Sequence, residues 1–141
     1  MKRSAAAQWK GSLENGQGTL TTDSGVLDST PYSFKTRFTD ENGTNPEELV
    51  GAAHAGCFSM ALSMILGQED FTAERIDTKA TVQLDEVDGG FAITRVHLHC
   101  RASVPGASAE QFDEAAEAAK ANCPISKLLT AEITMDAALD D

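Results

Sequence analysis

NPEELVGAAHAGCFSMALSMILG, residues 45–67, decides the fold, and its nineteen positions from Leu49 to Gly67 carry no formal charge. Both ends are punctuated. Asn45 offers a side-chain oxygen to a first helical turn, Pro46 suits the first helical position, and Glu48 stands where a capping box places its acid. Glu47 and Glu48 face the positive end of the helix dipole, and Gly67 is a usual C-terminal stop. The spacing predicts one helix. Its apolar positions surround the axis instead of forming one stripe, so it needs neighbours on nearly every side, which a small domain supplies by sheet cover and by dimerisation. The length nearly matches a bilayer core, yet Gly51, His54, Gly56, Ser59 and Ser63 dilute the apolarity and no second such segment exists. The expectation is a buried helix and no membrane.

Working outward, the even positions Ile76, Thr78, Ala80, Val82 and Leu84 alternate with Asp77, Lys79, Thr81, Gln83 and Asp85, the period of a half-buried strand. Asp88-Gly89-Gly90 signals a turn. On the return, Val96, Leu98, Cys100, Ala102 and Val104 oppose Arg95, His97, His99, Arg101 and Ser103, which predicts a long antiparallel hairpin. Shorter strands are expected over 6–11, 18–22 and 32–38, between Gly, Asn, Asp and Pro punctuation. Ser108 can cap a helix with Gln111 at the capping-box position, and Phe112, Ala115, Ala116 and Ala119 make its modest apolar face. Asn122-Cys123-Pro124 interrupts it, Pro124 opens a second short helix, and a last strand spans about 132–139. The order β-β-β-α-β-β-α-α-β is that of an α+β protein, read as a single domain over 1–141.

At 141 residues the chain is long enough for one domain with a real core. Eleven basic against 22 acidic residues give a net charge of −11, which repels phosphate backbones and anionic lipid, so nucleic acid is not expected as a partner. Met1-Lys2-Arg3 leads into no apolar run of secretory length, and the expected location is cytoplasmic. Three cysteines, Cys57, Cys100 and Cys123, are an odd set for a disulfide framework in a reducing compartment. Cys100 lies on the apolar face of a strand and reads as a small hydrophobe. Cys123, at a helix amino end beside a helix break, reads as a mobile, accessible thiol favoured as thiolate. Cys57, mid-helix between Gly56 and Phe58 among residues whose usual role is packing, fits inert burial somewhat better than chemistry, and the residues leave both open. His97 and His99 share a strand face without a third ligand, so no metal is expected. His54, three residues before Cys57, fits packing or hydrogen bonding better than a base.

Several stretches together resemble one family. Gly43-Thr44-Asn45-Pro46-Glu47-Glu48-Leu49, continuing through Ala52-Ala53-His54-Ala55-Gly56-Cys57-Phe58-Ser59-Met60-Ala61-Leu62, closely resembles the osmotically inducible protein C (OsmC) family of hydroperoxide peroxidases. Ser24-Gly25-Val26-Leu27, Thr36-Arg37-Phe38 and Asn122-Cys123-Pro124-Ile125-Ser126 carry the same likeness. The resemblance implies antiparallel sheets wrapped around two central helices in an intertwined homodimer. It implies that Cys57 is the peroxidatic thiol, that Cys123 resolves its sulfenic acid as a disulfide, that Arg37 polarises thiol and peroxide, and that Glu47 fixes Arg37. The substrate class implied is an organic hydroperoxide, the reductant an external dithiol of lipoyl type, and no cofactor is called for.

The helix adds a geometric expectation. Ten residues put Glu47 about 15 Å along a straight helix from Cys57 and roughly 80° around it. Either the helix bends or the carboxylate reaches the thiol of a partner subunit, which again predicts a homodimer. The uncharged helix also predicts an apolar substrate wall from Phe58, Met60, Ala61 and Met64. The rival reading is a non-catalytic protein of the same fold, a redox-responsive switch or a holder of an apolar ligand.

Overall fold

The computed structural model describes residues 1–140. The chain falls into a compact first unit, Met1–Leu49, and a second that begins at Val50. In the first, strands β1 (Ala5–Lys10), β2 (Gln17–Thr22) and β3 (Thr30–Tyr32) form an antiparallel sheet in chain order. The strand expected over 32–38 does not continue past Tyr32. Residues Phe34–Phe38 form a short helix, α1, so Arg37 is helical. The cause is local: Ser33 Oγ accepts from the Thr36 N–H at 3.2 Å, and Thr36 Oγ1 accepts from the Ser33 N–H at 2.8 Å. This reciprocal capping satisfies groups that a strand would have needed a neighbour to pair.

Helix α2 (Pro46–Gln68) opens at the end of this unit as its punctuation predicts. Asn45 Oδ1 accepts from the Glu48 N–H at 2.8 Å. The Glu48 carboxylate accepts from the Thr44 hydroxyl at 3.0 Å, so its acid works one residue upstream of a capping box.

In the second unit, β4 (Arg75–Val87) and β5 (Gly90–Ser103) form the long hairpin, with a register shift between Gln83 and Leu84. Val87 pairs with Gly90 across a two-residue loop, Asp88-Gly89, whose φ values are +47° and +79°. Left-handed backbone at both positions matches the right-handed strand twist, and Asp-Gly is a favoured pair for it. Then come α3 (Ala109–Asn122), α4 (Pro124–Leu128) and β6 (Glu132–Leu139). The sheet order is β4-β5-β6, and β6 runs parallel to β5, which makes this sheet mixed where antiparallel pairing was expected. A parallel neighbour needs a crossover, and α3 with α4 supplies it.

The core of this unit lies between α2, β5 and α3. From α2 come Phe58, Leu62 and Leu66, from β5 Val96, Leu98, Cys100 and Ala102, and from α3 Phe112, Ala115, Ala116 and Ala119. The buried side of α2 is therefore one stripe, Gly51, His54, Phe58, Leu62 and Leu66, at helical spacing. Gly51 lets the helix lie close to the sheet: a Cβ there would meet the Ala80 carbonyl oxygen at 3.3 Å. By length and composition α2 could cross a membrane, but its buried stripe is sealed by protein and holds an imidazole bonded to another element, which marks a core helix. Leu62→Ala, at a fully buried site, is expected to cost about 2–5 kcal/mol in urea unfolding through lost transfer energy and a residual cavity.

Candidate functional site

Two of the three free thiols meet in the second unit. Cys57 is part-exposed on the flank of α2, and Cys123 is fully buried at the junction of α3 and α4. Cys123 and the Ile125 backbone N–H both lie close enough to shift the ionisation of the Cys57 thiol. The junction follows from Pro124, whose ring drives the preceding residue out of helical backbone. Cys123 accordingly has φ −61° and ψ 136°, ends α3 through its N–H to Ala119 O at 2.9 Å, and begins α4. Its sulfur accepts from the Ser126 N–H at 3.4 Å and lies 3.3 Å from Ser126 Oγ. The sequence reading of Cys123 as mobile and accessible is corrected here: the helix break turns this thiol inward, beneath Cys57.

Burial raises the Cys57 thiol above its ordinary range; the Ile125 N–H pulls it down and the neighbouring Cys123 raises it. Cys100 is likewise raised by burial, with a Thr78 hydrogen bond opposing and Asp77 adding to the rise, and it remains a core residue. His54 is fully buried, its Nε2 2.7 Å from Ser126 Oγ, and desolvation holds its imidazole below the usual range. On β5, His97 Nδ1 lies 2.6 Å from Thr134 Oγ1, and His99 Nδ1 lies 3.7 Å from an Asp136 carboxylate oxygen, so β6 engages both imidazoles.

The first unit holds the other pair. Arg37 Nε donates to Glu47 Oε1 at 3.0 Å and Oε2 at 3.2 Å, while Nη2 donates to Oε1 at 2.6 Å. Such a fork fixes the guanidinium plane. Asn45 fixes the two elements that carry the pair, because its Nδ2 donates to Thr36 O at 3.1 Å while its Oδ1 caps α2. The Arg37 guanidinium also stands 5.5 Å from the Phe38 ring centroid. Arg37 borders a pocket of about 270 Å³ walled mainly by Trp9, Leu13, Tyr32, Phe34 and Phe38. Sequence reasoning missed this pocket, whose aromatic residues come from three separate segments; the available signal was Phe34 and Phe38 bracketing Arg37. The wall expected from α2 is not seen in one chain: Phe58 is sealed in the core, and Met60 and Met64 are 76% and 60% exposed.

The OsmC-like protein family profile matches residues 39–138. The chain belongs to the OsmC-like family. It is 57% identical to Peroxiredoxin OsmC of Escherichia coli strain K12 over 130 residues, 92% of this chain and 91% of that protein. It is 31% identical to the organic hydroperoxide resistance protein OhrB of Bacillus subtilis over 111 residues, 78% and 79% of the two chains. The solved structure of that OhrB superposes with a TM-score of 0.68 at 27% identity, covering 97% of this chain and 98% of the other. An OsmC-like protein of Vibrio cholerae reaches a TM-score of 0.78 at 19% identity, covering 98% and 99%, and shares the fold. The α+β class read from this OsmC-like sequence is thereby met.

Two outcomes follow from the geometry. One equivalent of a two-electron thiol oxidant should consume two of the three thiols, and peptide mass spectrometry should place the new bond between Cys57 and Cys123 and leave Cys100 reduced. Because the folded pKa of His54 is lowered, the folded state takes up its proton later than the unfolded chain. Stability is unaffected by this group above about pH 6.5 and falls as pH drops below that value. Thermal unfolding across this range should show a part of the acid loss that disappears in His54→Gln.

Proposed function

We propose that this OsmC-like protein is a thiol-dependent peroxidase in which Cys57 meets the hydroperoxide and Cys123 resolves the product. The observation that carries the assignment is the difference in depth of two adjacent sulfurs. Only Cys57 is open to an arriving peroxide, while the fully buried Cys123 has Cys57 as its reachable sulfur partner. The Cys57 thiolate attacks one peroxide oxygen, the O–O bond breaks, and the alkoxide takes a proton and leaves as alcohol. Cys57 is left as sulfenic acid. Cys123 sulfur then displaces the hydroxyl, giving a disulfide and water. An external dithiol, of lipoyl type in our reading, attacks from the open Cys57 side and restores both thiols.

This chemistry needs a cation, because burial alone holds the Cys57 thiol up and the thiolate is the nucleophile. Arg37, held by Glu47, is our candidate: it lowers the thiol pKa and donates to the leaving oxygen as charge builds there. Ten helical residues separate Glu47 from Cys57, so we assign the pair to the thiols of a partner subunit in an antiparallel homodimer. The uncharged side of α2 supports this. Ala52, Ala53, Gly56, Met60 and Met64 are exposed in a single chain, and an apolar face of that kind in a water-soluble enzyme calls for cover. The aromatic pocket beside Arg37 then receives the organic part of the substrate, which favours organic hydroperoxides over strongly hydrated hydrogen peroxide. We place the enzyme in the cytoplasm as one OsmC-like domain, in keeping with its three free thiols.

A peroxidase assay with a dithiol reductant tests this reading. Wild type should turn over many times, Cys57→Ser not at all, and Cys123→Ser only until its sulfenic acid is overoxidised. Stoichiometric oxidation of wild type without turnover would support a redox switch instead. Arg37→Ala should slow the peroxide step by about 10²–10³-fold. Cumene hydroperoxide should outrun hydrogen peroxide by at least about tenfold, the scale of about 1.4 kcal/mol of apolar contact. Sedimentation should give a dimer; a fully active monomer would remove the shared-site argument.

A further inference from the structure

Closing the proposed disulfide requires a sulfur sealed from water to lose its proton. Cys123 is fully buried, yet it must attack as thiolate or shed its proton as it attacks. Two polar side chains continue inward from it. Ser126 Oγ lies 3.3 Å from Cys123 Sγ, and His54 Nε2 lies 2.7 Å from Ser126 Oγ. Ser126 is 8% exposed and His54 fully buried, so the line Cys123, Ser126, His54 runs through the protein interior. The placement of each atom has a separate cause. Pro124 sets the turn that brings Ser126 under the sulfur, and the buried stripe of α2 brings His54 to the serine.

The imidazole is poorly explained by packing. It shares the buried stripe with Gly51, Phe58, Leu62 and Leu66, and its Nδ1 finds no hydrogen-bond partner among the described residues. An apolar side chain would fill the space without stranding a polar atom. A buried polar group retained at that cost fits a chemical role better than a structural one.

We propose that His54 is a positioning residue and proton acceptor for the resolving thiol, acting through Ser126. The inference rests on the assignment of Cys123 as the resolving cysteine. In the step that closes the disulfide, Ser126 O–H donates to His54 Nε2 while Cys123 S–H donates to Ser126 Oγ. As the Cys123 sulfur pair forms the bond to Cys57, its proton passes to Ser126 and the serine proton passes to His54. The S–O bond of the sulfenic acid breaks, and the hydroxide leaves from the open side of Cys57. The hydroxide takes a proton from solvent at the open side, and His54, where burial disfavours a lasting imidazolium, releases the thiol's proton to solvent. Thiol plus sulfenic acid becomes disulfide plus water. The same hydrogen bonds hold Cys123 at the rotamer that faces Cys57.

The role predicts a split between two measurable steps. Wild type, His54→Phe, His54→Gln and Ser126→Ala are mixed with one equivalent of cumene hydroperoxide, and alcohol release is timed against disulfide formation. Sulfenic acid is trapped with dimedone and counted by mass spectrometry. His54→Phe and Ser126→Ala are expected to release alcohol within about twofold of wild type while closing the disulfide on the order of 10²-fold more slowly. Both should accumulate trapped sulfenic acid and overoxidise at lower peroxide. His54→Gln, whose amide oxygen can accept from the serine hydroxyl but cannot take up a proton, should keep Cys123 facing Cys57 yet close the disulfide about as slowly as His54→Phe, which separates proton acceptance from positioning. The double variant should be no slower than either single one, as for members of one unit. Disulfide closure at the wild-type rate in Ser126→Ala and His54→Phe would overturn the proposal, as would equal losses in both steps. Ser126→Ala removes only one oxygen, so it decides the matter if the larger change prevents folding. A wild type that forms no sulfenic acid would overturn the peroxidase reading itself, an outcome distinct from a normal first step with unaltered resolution.

Discussion

Helix α2 can bury only one side of itself in its own chain, and that limit sets the chemistry. Its stripe of Gly51, His54, Phe58, Leu62 and Leu66 is sealed against sheet and α3. At 100° per residue, Cys57 falls roughly 120° from the middle of that stripe, on the flank. A cysteine at the centre of the stripe would be as inert as Cys100, and one on the opposite side would point away from the second thiol of its own chain. The flank offers both solvent and the α3–α4 junction, where the Ile125 N–H and the Cys123 sulfur wait. The core packing that stabilises the unit by about 1.5–3 kcal/mol per buried large side chain therefore also sets the depth of the reactive sulfur.

Each half of the proposed machinery is incomplete by itself. The thiol pair has a nucleophile, but burial raises the Cys57 thiol above its ordinary range, and neither the Ile125 N–H nor Cys123 brings a positive charge. The Arg37–Glu47 pair has a rigid cation at an aromatic pocket and no nucleophile. In the proposed dimer the two halves meet, so assembly would also control ionisation of the thiol.

Much of this was legible wherever local chemistry decides structure. Asn45-Pro46, the Ser108–Gln111 pair, Asp88-Gly89 and Pro124 each act within one turn, and each element starts or stops where those residues require. The alternation from Ile76 to Leu84 and from Val96 to Val104 sits on the predicted hairpin. What was not legible depends on partners distant in sequence or on elements too short for a period. Helix α1 has five residues, and only the Ser33–Thr36 exchange betrays it. The parallel direction of β6 leaves no mark on its own alternation; the crossover through α3 and α4 imposes it. The depth of Cys123 follows from its backbone angles, which Pro124 hints at, together with its surroundings, which no neighbouring residue reveals.

In the proposed reaction, the unequal depth of the two sulfurs imposes an order. A sulfenic acid on the part-open Cys57 has two fates: the neighbouring thiol, or a second peroxide that carries it to sulfinic acid. The first is intramolecular and independent of peroxide concentration, while the second grows with it. Burying Cys123 keeps that thiol from being oxidised itself, but it also removes the water that would accept its proton. Protection and speed thus pull against each other at one atom, and an interior proton acceptor relieves the conflict without opening the site. On this view the serine and histidine beneath Cys123 set the peroxide concentration at which the enzyme begins to inactivate, while the accessible side of Cys57 sets how fast it works below that concentration.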